Sequence, residues 1–360
     1  MSSTTETLST ELTTICLTRP NQENFLSDEI SLSLNLGLRS SPIKSTHTAP
    51  QVVELTHSSH QELGALPLFF SVQSLPNPKS VHADSISNWS KEIFNLLIET
   101  FADTAPSWAF HIFDTASIES GKRFARAERI AESLIELLKQ KRRSYLRELA
   151  STPSRETTLV QIALISPSAG YISVADPQTQ ASYRAALTLD YAGYHAIDVD
   201  KRPPSRAFKK LREAIEVFSL TPKRGENAVD LGASPGGWSY VLRQLGLTVT
   251  AIDRSPLADT LMRTTGISWA SGNALTWQPP DAVDWLVCDV ITSPENTAKM
   301  LKSWITNKLC RNFCVTVKFK GDPDLNTLLN LTDFLRKNTK WFDGRQLTHN
   351  KNELTLVGKI

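Results

Sequence analysis

The sequence predicts an α/β protein in two regions, residues 1–195 and 200–360. Three observations carry this prediction. Strand-like and helix-like segments alternate along the chain. An irregular hydrophilic stretch from Tyr191 to Pro204, ending Asp198-Val199-Asp200-Lys201-Arg202-Pro203-Pro204, separates the regions. Beyond it, the short apolar strand Ala228-Val229-Asp230-Leu231-Gly232 runs into a glycine-rich turn, a helix and a second strand closing on Asp253.

Composition narrows the class. The 360 residues suit two domains at about 100–200 residues each, and 40% hydrophobic residues supply ordinary cores. Collagen-like, disulfide-scaffolded and wholly disordered chains are excluded. No run reaches ~18 apolar residues, so no membrane helix is expected. The start, Met1-Ser2-Ser3-Thr4-Thr5-Glu6, lacks a basic region before an apolar core, so no signal peptide is expected. Cys16, Cys288, Cys310 and Cys314 are too few and too uneven for a disulfide framework, which predicts a reduced, cytoplasmic protein. The net charge of +2 hides an asymmetry: residues 1–200 carry 22 Asp/Glu against 16 Lys/Arg, and residues 201–360 carry 15 against 23. Within the first part, residues 121–150 reverse the sign, with 9 basic and 4 acidic side chains. A polyanion fits the second half and this segment; an ordinary soluble domain also carries such a charge.

Taken in order, Thr14-Ile15-Cys16-Leu17 predicts a strand ended by Arg19-Pro20, since proline has no amide hydrogen for a sheet. Asn24 to Leu36 predicts a helix, 40–50 a loop, Leu68 to Val72 a strand, and Ser74 to Pro78 a turn. Ile86 to Phe101 has Trp89, Ile93, Leu96 and Leu97 at helical spacing. Trp108 to Phe113 and Leu159 to Ile165 predict strands, with a turn at Pro167 to Gly170. Between them, Gly121 to Leu149 predicts one long helix with the stripe Ala127, Ile130, Leu134, Leu137 and Leu138. Lys139, Lys141, Arg142, Arg143 and Arg147 gather at its C-terminal end, where cations offset the helix dipole or bind phosphates. Together these segments predict a small α+β module.

In the second region, Ala233-Ser234-Pro235-Gly236-Gly237-Trp238-Ser239 follows the first strand, Tyr240 to Leu245 predicts a helix, and Leu247 to Ile252 predicts the next strand. Glycines let backbone approach a ligand without a Cβ between them. Asp253, 21 residues after Gly232, suits a ribose diol. This is a Rossmann-like unit, but not the dinucleotide loop G-x-G-x-x-G, because Ser234 stands at the second glycine; nor is it a phosphate loop ending in Gly-Lys. A nicotinamide dehydrogenase is therefore disfavoured. An acid before the loop suits a cationic cofactor without phosphate, such as S-adenosylmethionine. Two further apolar strands, Val283 to Cys288 and Cys310 to Val317, end in Asp289 and Lys318. In open α/β sheets, ligands bind beyond such carboxyl ends. Taken singly, Asp289 also reads as a helix cap and Lys318 as a surface lysine.

The run Asp230-Leu231-Gly232-Ala233-Ser234-Pro235-Gly236-Gly237-Trp238-Ser239 resembles the cofactor loop of the FtsJ-like ribose 2′-O-methyltransferases. The resemblance covers about residues 203–358. It implies S-adenosylmethionine as cofactor, with Asp230, Gly232, Ser234, Pro235, Gly236, Gly237, Trp238, Asp253, Asn273 and Asp289 binding it. It also implies a Lys-Asp-Lys-Glu tetrad. Lys210 follows Ser205-Arg206, Asp289 ends Val287-Cys288-Asp289, Lys318 ends Val315-Thr316-Val317-Lys318, and Glu353 opens Glu353-Leu354-Thr355-Leu356-Val357. Pro204-Ser205-Arg206, Leu261-Met262, Trp285 to Asp289 and Cys310-Arg311 resemble the branch acting on a cytidine ribose of 23S rRNA. That branch carries an N-terminal RNA-binding region with a THUMP domain, a role residues 1–195 have the length to fill. Arg206, Arg142 and Arg143 are the expected RNA contacts, with a salt bridge or helix packing as the other reading of Arg206. Two departures stand out. Asn273 replaces an aspartate at the adenine amino group, and Phe319-Lys320-Gly321-Asp322 differs from the branch's pattern, which leaves another rRNA site or a tRNA open as substrate. An inactive RNA-binding or assembly protein on the same fold is the third reading, and intact tetrad residues weigh against it.

In such an enzyme, Lys318 is the expected general base, its pKa lowered by burial and Lys210 and opposed by Asp289 and Glu353. No metal is expected. His57 and His60, with Glu54 and Glu62, lack further ligand support, and Cys310 and Cys314 lack a second pair. Trp269, Trp277 and Trp285 read as core. No membrane partner is expected, and the oligomeric state is not legible.

Overall fold

The computed structural model describes residues 11–360. They fall into two compact units. The first reaches to Leu66 and resumes over Phe70–Tyr194; the second comprises Pro67–Phe69 and His195–Ile360.

The first unit has two sheets. Strands β1 (Leu12–Leu17), β2 (Lys44–Ala49), β3 (Val52–His57) and β4 (Gln73–Pro76) form an antiparallel sheet in the order β2-β3-β1-β4. Strands β5 (Lys79–His82), β6 (Trp108–Asp114), β7 (Thr158–Leu164) and β8 (Ala169–Ala175) form the second, in the order β5-β8-β7-β6. Here β6 and β7 run parallel, a pairing that needs a crossover, and the helix Ala125–Lys141 lies in that connection. Its buried stripe of Ala127, Ile130, Leu134 and Leu138 shares one core with Trp89, Ile93 and Leu97 of the helix Ile86–Phe101 and with Trp108, Ile112, Val160 and Ile162 of the sheet. The side chain of Ser85 caps that second helix, accepting from Asn88 N at 3.2 Å.

Three sequence expectations are corrected. The 40–50 loop contains β2, an edge strand of mostly exposed polar residues that offers no apolar alternation to read. The apolar run Leu68 to Val72 is a buried connection, and the strand is Gln73–Pro76, read above as part of a turn; the run reported burial, whereas pairing with β1 decides the strand. The long helix starts at Ala125 and breaks at Arg142 (φ −150°, ψ 62°) before the short helix Arg143–Arg147. A tertiary anchor accounts for the break: Tyr145 is buried, its hydroxyl donates to Ala102 O, and its carbonyl accepts from Trp108 Nε1 at 2.9 Å.

The second unit is built on β9 (Asn227–Leu231), β10 (Thr248–Asp253), β11 (Ile267–Ser271), β12 (Val283–Cys288), β13 (Cys310–Lys318), β14 (Trp341–Arg345) and β15 (Glu353–Lys359). Their order is β11-β10-β9-β12-β13-β15-β14. The first five run parallel, and β15 runs antiparallel to both neighbours. The central strands are buried on both faces, as helix-covered parallel strands must be. The chain reverses its direction of travel across the sheet between β9 and β12, which opens a crevice at their carboxyl ends. Because β15 is antiparallel, its first residue reaches the same rim, with Glu353 in register opposite Lys318.

Candidate active site

The crevice is a cavity of about 420 Å³ lined by the turn after β9, the ends of β10, β12 and β13, and the start of the helix Phe208–Val217. A second cavity of about 210 Å³ shares Gly232, Asp253, Val290 and Ile291 with it and adds Gly272, Asn273 and Ala274. The turn is tied to the end of β10: Gly232 N donates to Ile252 O at 2.9 Å, and Ser234 N donates to Asp253 Oδ2 at 3.0 Å. Gly232 has φ +75°, and a Cβ there would meet the Val290 backbone at 3.1 Å, so only glycine suits this edge of the cleft.

Three carboxylates line the first cavity: Asp230, Asp253 and Asp289. Asp253 accepts Ser234 N on one oxygen and Ser255 N on the other, and each oxygen keeps a second lone pair toward a diol. Asp230 is buried and accepts from Ser239 Oγ at 2.7 Å. Burial pushes its carboxyl up to about 7, against the pull of Ser239 and with help from Asp289. Trp238 lines the cavity and donates from Nε1 to Ala207 O at 2.9 Å. An acidic, glycine-edged cleft with no phosphate loop fits a cationic nucleoside ligand, which is the character of S-adenosylmethionine.

Lys210, Asp289, Lys318 and Glu353 come together on this rim. Lys210 Nζ donates to both Asp289 oxygens at 3.1 Å and pairs with Glu353 Oε1 at 2.5 Å. Lys318 Nζ donates to Asp289 Oδ1 and Glu353 Oε2, each at 2.5 Å. Thr316 Oγ1 donates to Asp289 Oδ1 at 2.8 Å. Both lysines thus bridge the same two carboxylates in a nearly buried ring. Burial pulls Lys318 down, yet Asp289 and Glu353 outweigh it and its pKa is raised. This corrects the expected depression: two carboxylates 2.5 Å away dominate. For Glu353, burial pushes up, but Lys318 and Lys210 hold it below its ordinary value. Burial pushes the neighbouring Cys288 thiol up to about 12, which keeps it protonated and excludes it as a nucleophile.

Other sequence candidates fall elsewhere. Gly236 does not line either cavity; it opens the helix Gly237–Gln244 at φ +113°, where a Cβ would stand 2.2 Å from Leu261 Cδ1. Glu353 is buried beneath the two lysines and also lines neither cavity. Asn273 lines the second cavity, with its Oδ1 accepting Leu275 N at 3.1 Å. Arg206 is exposed, outside both linings. In the first unit, Arg142 and Arg143 are exposed, and Arg143 Nε donates to Lys139 O at 3.0 Å. Sequence reasoning missed Ser205, Ala207, Val290, Ile291 and Thr316. Of these, Thr316 was discoverable as the residue two before Lys318 on a strand, hence on the same face.

The fold and the site define a Rossmann-type domain with a cleft at the carboxyl ends of its parallel strands. Residues 203–334 match the family described as FtsJ-like methyltransferase. Lys210, Asp289 and Lys318 lie inside the matched span and Glu353 beyond it. The chain is 35% identical over 171 residues to the Ribosomal RNA large subunit methyltransferase M of Halorhodospira halophila, covering 47% of this chain and 50% of that protein. The protein of the same name from Azoarcus sp. is 32% identical over 233 residues, covering 60% and 64%. That from Psychromonas ingrahamii is 30% identical over 221 residues, covering 58% and 59%. The chain thus spans roughly half to three fifths of the length of the curated relatives it matches.

Proposed function

We propose that this protein transfers a methyl group from S-adenosylmethionine to a ribose 2′-hydroxyl of RNA, with a cytidine of 23S rRNA as the target. The observation that carries the reading is the ring of Lys210, Asp289, Lys318 and Glu353 at the mouth of an acidic nucleoside cleft. The names of the relatives support the rRNA substrate. The four cysteines are free and buried, which supports a reducing, cytoplasmic setting. Among the described residues, no helix is long and apolar enough to cross a membrane.

The cofactor supplies a methyl group on a sulfonium. Asp253 would hold its ribose, Asp230 and Asp289 would meet its positive charge, and Asn273, in the adjoining cavity, would face its adenine. The protein's remaining task is to align the 2′-hydroxyl and take its proton. Lys318 starts as an ammonium because Asp289 and Glu353 hold the proton on it. Asp289 divides its charge among Lys210, Lys318 and Thr316. A cation in the cleft competes for that charge, and RNA over the mouth deepens the burial of Lys318. Both effects weaken the hold of Lys318 on its proton, which passes to solvent, and the neutral amine then accepts the hydroxyl proton at Nζ. Glu353 anchors both lysines from below and sets their spacing.

The test is transfer of labelled methyl from S-adenosylmethionine to 23S rRNA from cells lacking the protein, followed by mapping of the modified ribose. Label on one cytidine 2′-oxygen is expected; label on a base, or none, would overturn the proposal.

Asp230 gives this cleft a pH dependence. Its carboxyl is largely protonated at pH 6 and ionised at pH 8, because it titrates near 7. A cationic ligand prefers the ionised form, so affinity for S-adenosylmethionine rises from pH 6 to 8. Asp230→Asn should cost about tenfold in affinity at pH 8 and little at pH 6, as a charge-assisted hydrogen bond is lost. Calorimetric titration at the two pH values checks this.

For the first unit, the reading is a THUMP-type RNA-binding region. Support comes from Arg142 and Arg143, exposed where the helix Ala125–Lys141 breaks, and from an open cavity of about 460 Å³ beside them lined by Phe94, Ile98, Lys141 and Arg142. Reversing both charges (Arg142→Glu with Arg143→Glu) should weaken rRNA binding. It should also lower the salt slope by about 1–2, because two phosphates are no longer neutralised. Filter binding across salt concentrations measures it. Cofactor affinity should not change.

A further inference from the structure

The helix Phe208–Val217 carries Lys210 on one turn and, one turn later, a glutamate that is 1% exposed. Glu213 lines neither cavity. A buried carboxylate must be satisfied, and this one is met by backbone. Its Oε1 accepts Thr348 N at 2.5 Å, and its Oε2 accepts both His349 N and His349 Nδ1 at 2.8 Å. Thr348 and His349 lie in the loop between β14 and β15, five and four residues before Glu353.

That loop is braced onward toward Glu353. Leu347 N donates to Asn350 Oδ1 at 2.8 Å, and Thr355 Oγ1, two residues beyond Glu353, donates to the same oxygen at 3.1 Å. Gln346 Nε2 donates to Lys351 O at 2.9 Å. Glu213 therefore fastens the helix that presents Lys210 to the loop that delivers Glu353. These are the two groups that meet at 2.5 Å, and Glu353 pairs with Lys318 as well.

We infer that Glu213 is a positioning residue for the lysine–carboxylate ring, fixing the distance between Lys210 and Glu353 without touching substrate or cofactor. The inference rests on the methyltransferase reading above. Glutamine at this position keeps the size but replaces one acceptor by an NH₂ group facing backbone N–H donors, so the clamp opens. A displacement of about 1 Å in a reacting centre costs on the order of 100-fold in rate. In Glu213→Gln, kcat should fall about 10- to 100-fold, while the affinity for S-adenosylhomocysteine and the KM for rRNA stay within about twofold.

The deciding readout is a double-mutant cycle. If Glu213 acts through Glu353, then Glu213→Gln causes no further loss in kcat once Glu353→Gln is present. A purely structural role gives the same fractional loss in both backgrounds. His349→Phe removes the imidazole bond and keeps the two backbone bonds, so it should show a smaller loss with the same non-additivity; it carries the test alone if Glu213→Gln does not fold. Wild-type kcat in the folded variants, additive losses, or a parallel fall in cofactor affinity would overturn the inference. Those results, with Lys318→Met inactive, leave the methyltransferase reading intact. Full activity in both Lys318→Met and Glu353→Gln would remove that reading itself.

Discussion

Replacing Lys318 with methionine is expected to abolish methyl transfer while leaving cofactor binding in place. Methionine keeps the unbranched stem and its packing and removes Nζ alone. Nζ is the donor to both Asp289 Oδ1 and Glu353 Oε2 at 2.5 Å, and the proposed acceptor of the hydroxyl proton. Removing a positioned base costs about 10²–10⁴ in rate, and the loss of alignment adds to it. Single-turnover assays should therefore show a drop of at least ~10³, with S-adenosylhomocysteine affinity within a few-fold of wild type. Wild-type turnover would end the base assignment. Stability provides an independent check. The raised pKa of Lys318 means that its stabilisation is fully present below its ordinary value of 10.5 and is lost as pH rises through the folded value. The lowered pKa of Glu353 means that its share is present above its ordinary value of 4.5 and is lost as pH falls through the folded value. Wild-type thermal stability should thus fall at both extremes, and Lys318→Met should lose the contribution of Lys318 to the alkaline limb.

The site was legible wherever chemistry sits at the end of an apolar strand. Asp230, Asp253, Asp289 and Lys318 each lie at, or one residue from, the end of a β-strand of a parallel array, and that topology puts carboxyl ends on one rim whatever the details of packing. Glu353 was legible only through family resemblance, because its placement depends on β15 running antiparallel beside β13, with Lys318 opposite a residue 35 positions away. The sign of the Lys318 shift was not legible, since it depends on two carboxylates at hydrogen-bond distance outweighing burial. At Gly236 the reason for glycine was not legible: a glycine in a ligand loop looks alike whether its bare face meets ligand or Leu261. In the first unit, β2 escaped because an exposed edge strand buries too little to show a period. The helix break at Arg142 escaped because it answers to Tyr145 and Ala102, a pair far apart in sequence.

Asp289→Ala should be the most damaging single change in the ring, because stability and activity both depend on that carboxylate. Its two oxygens receive Lys210 at 3.1 Å, and Oδ1 also receives Lys318 at 2.5 Å and Thr316 at 2.8 Å. Without it, two ammonium groups whose side chains are only 14% and 16% exposed share Glu353 as their remaining carboxylate in the ring. Breaking a buried pair by removing one partner costs about 3–5 kcal/mol, which for a unit of this size lowers Tm by about 10 °C. Methyl transfer should fall below detection. Asp289→Asn keeps the shape and one acceptor for Thr316, so it should lose less stability and nearly as much activity. Combining Asp289→Asn with Lys210→Met removes one of the stranded charges and should recover part of the lost Tm. It should recover none of the turnover, since the carboxylate that orients Lys318 is still missing. An Asp289→Ala protein that melts with the wild type would show that the ring is not held by this residue. Recovery of turnover in the double variant would show that Asp289 serves only to neutralise Lys210.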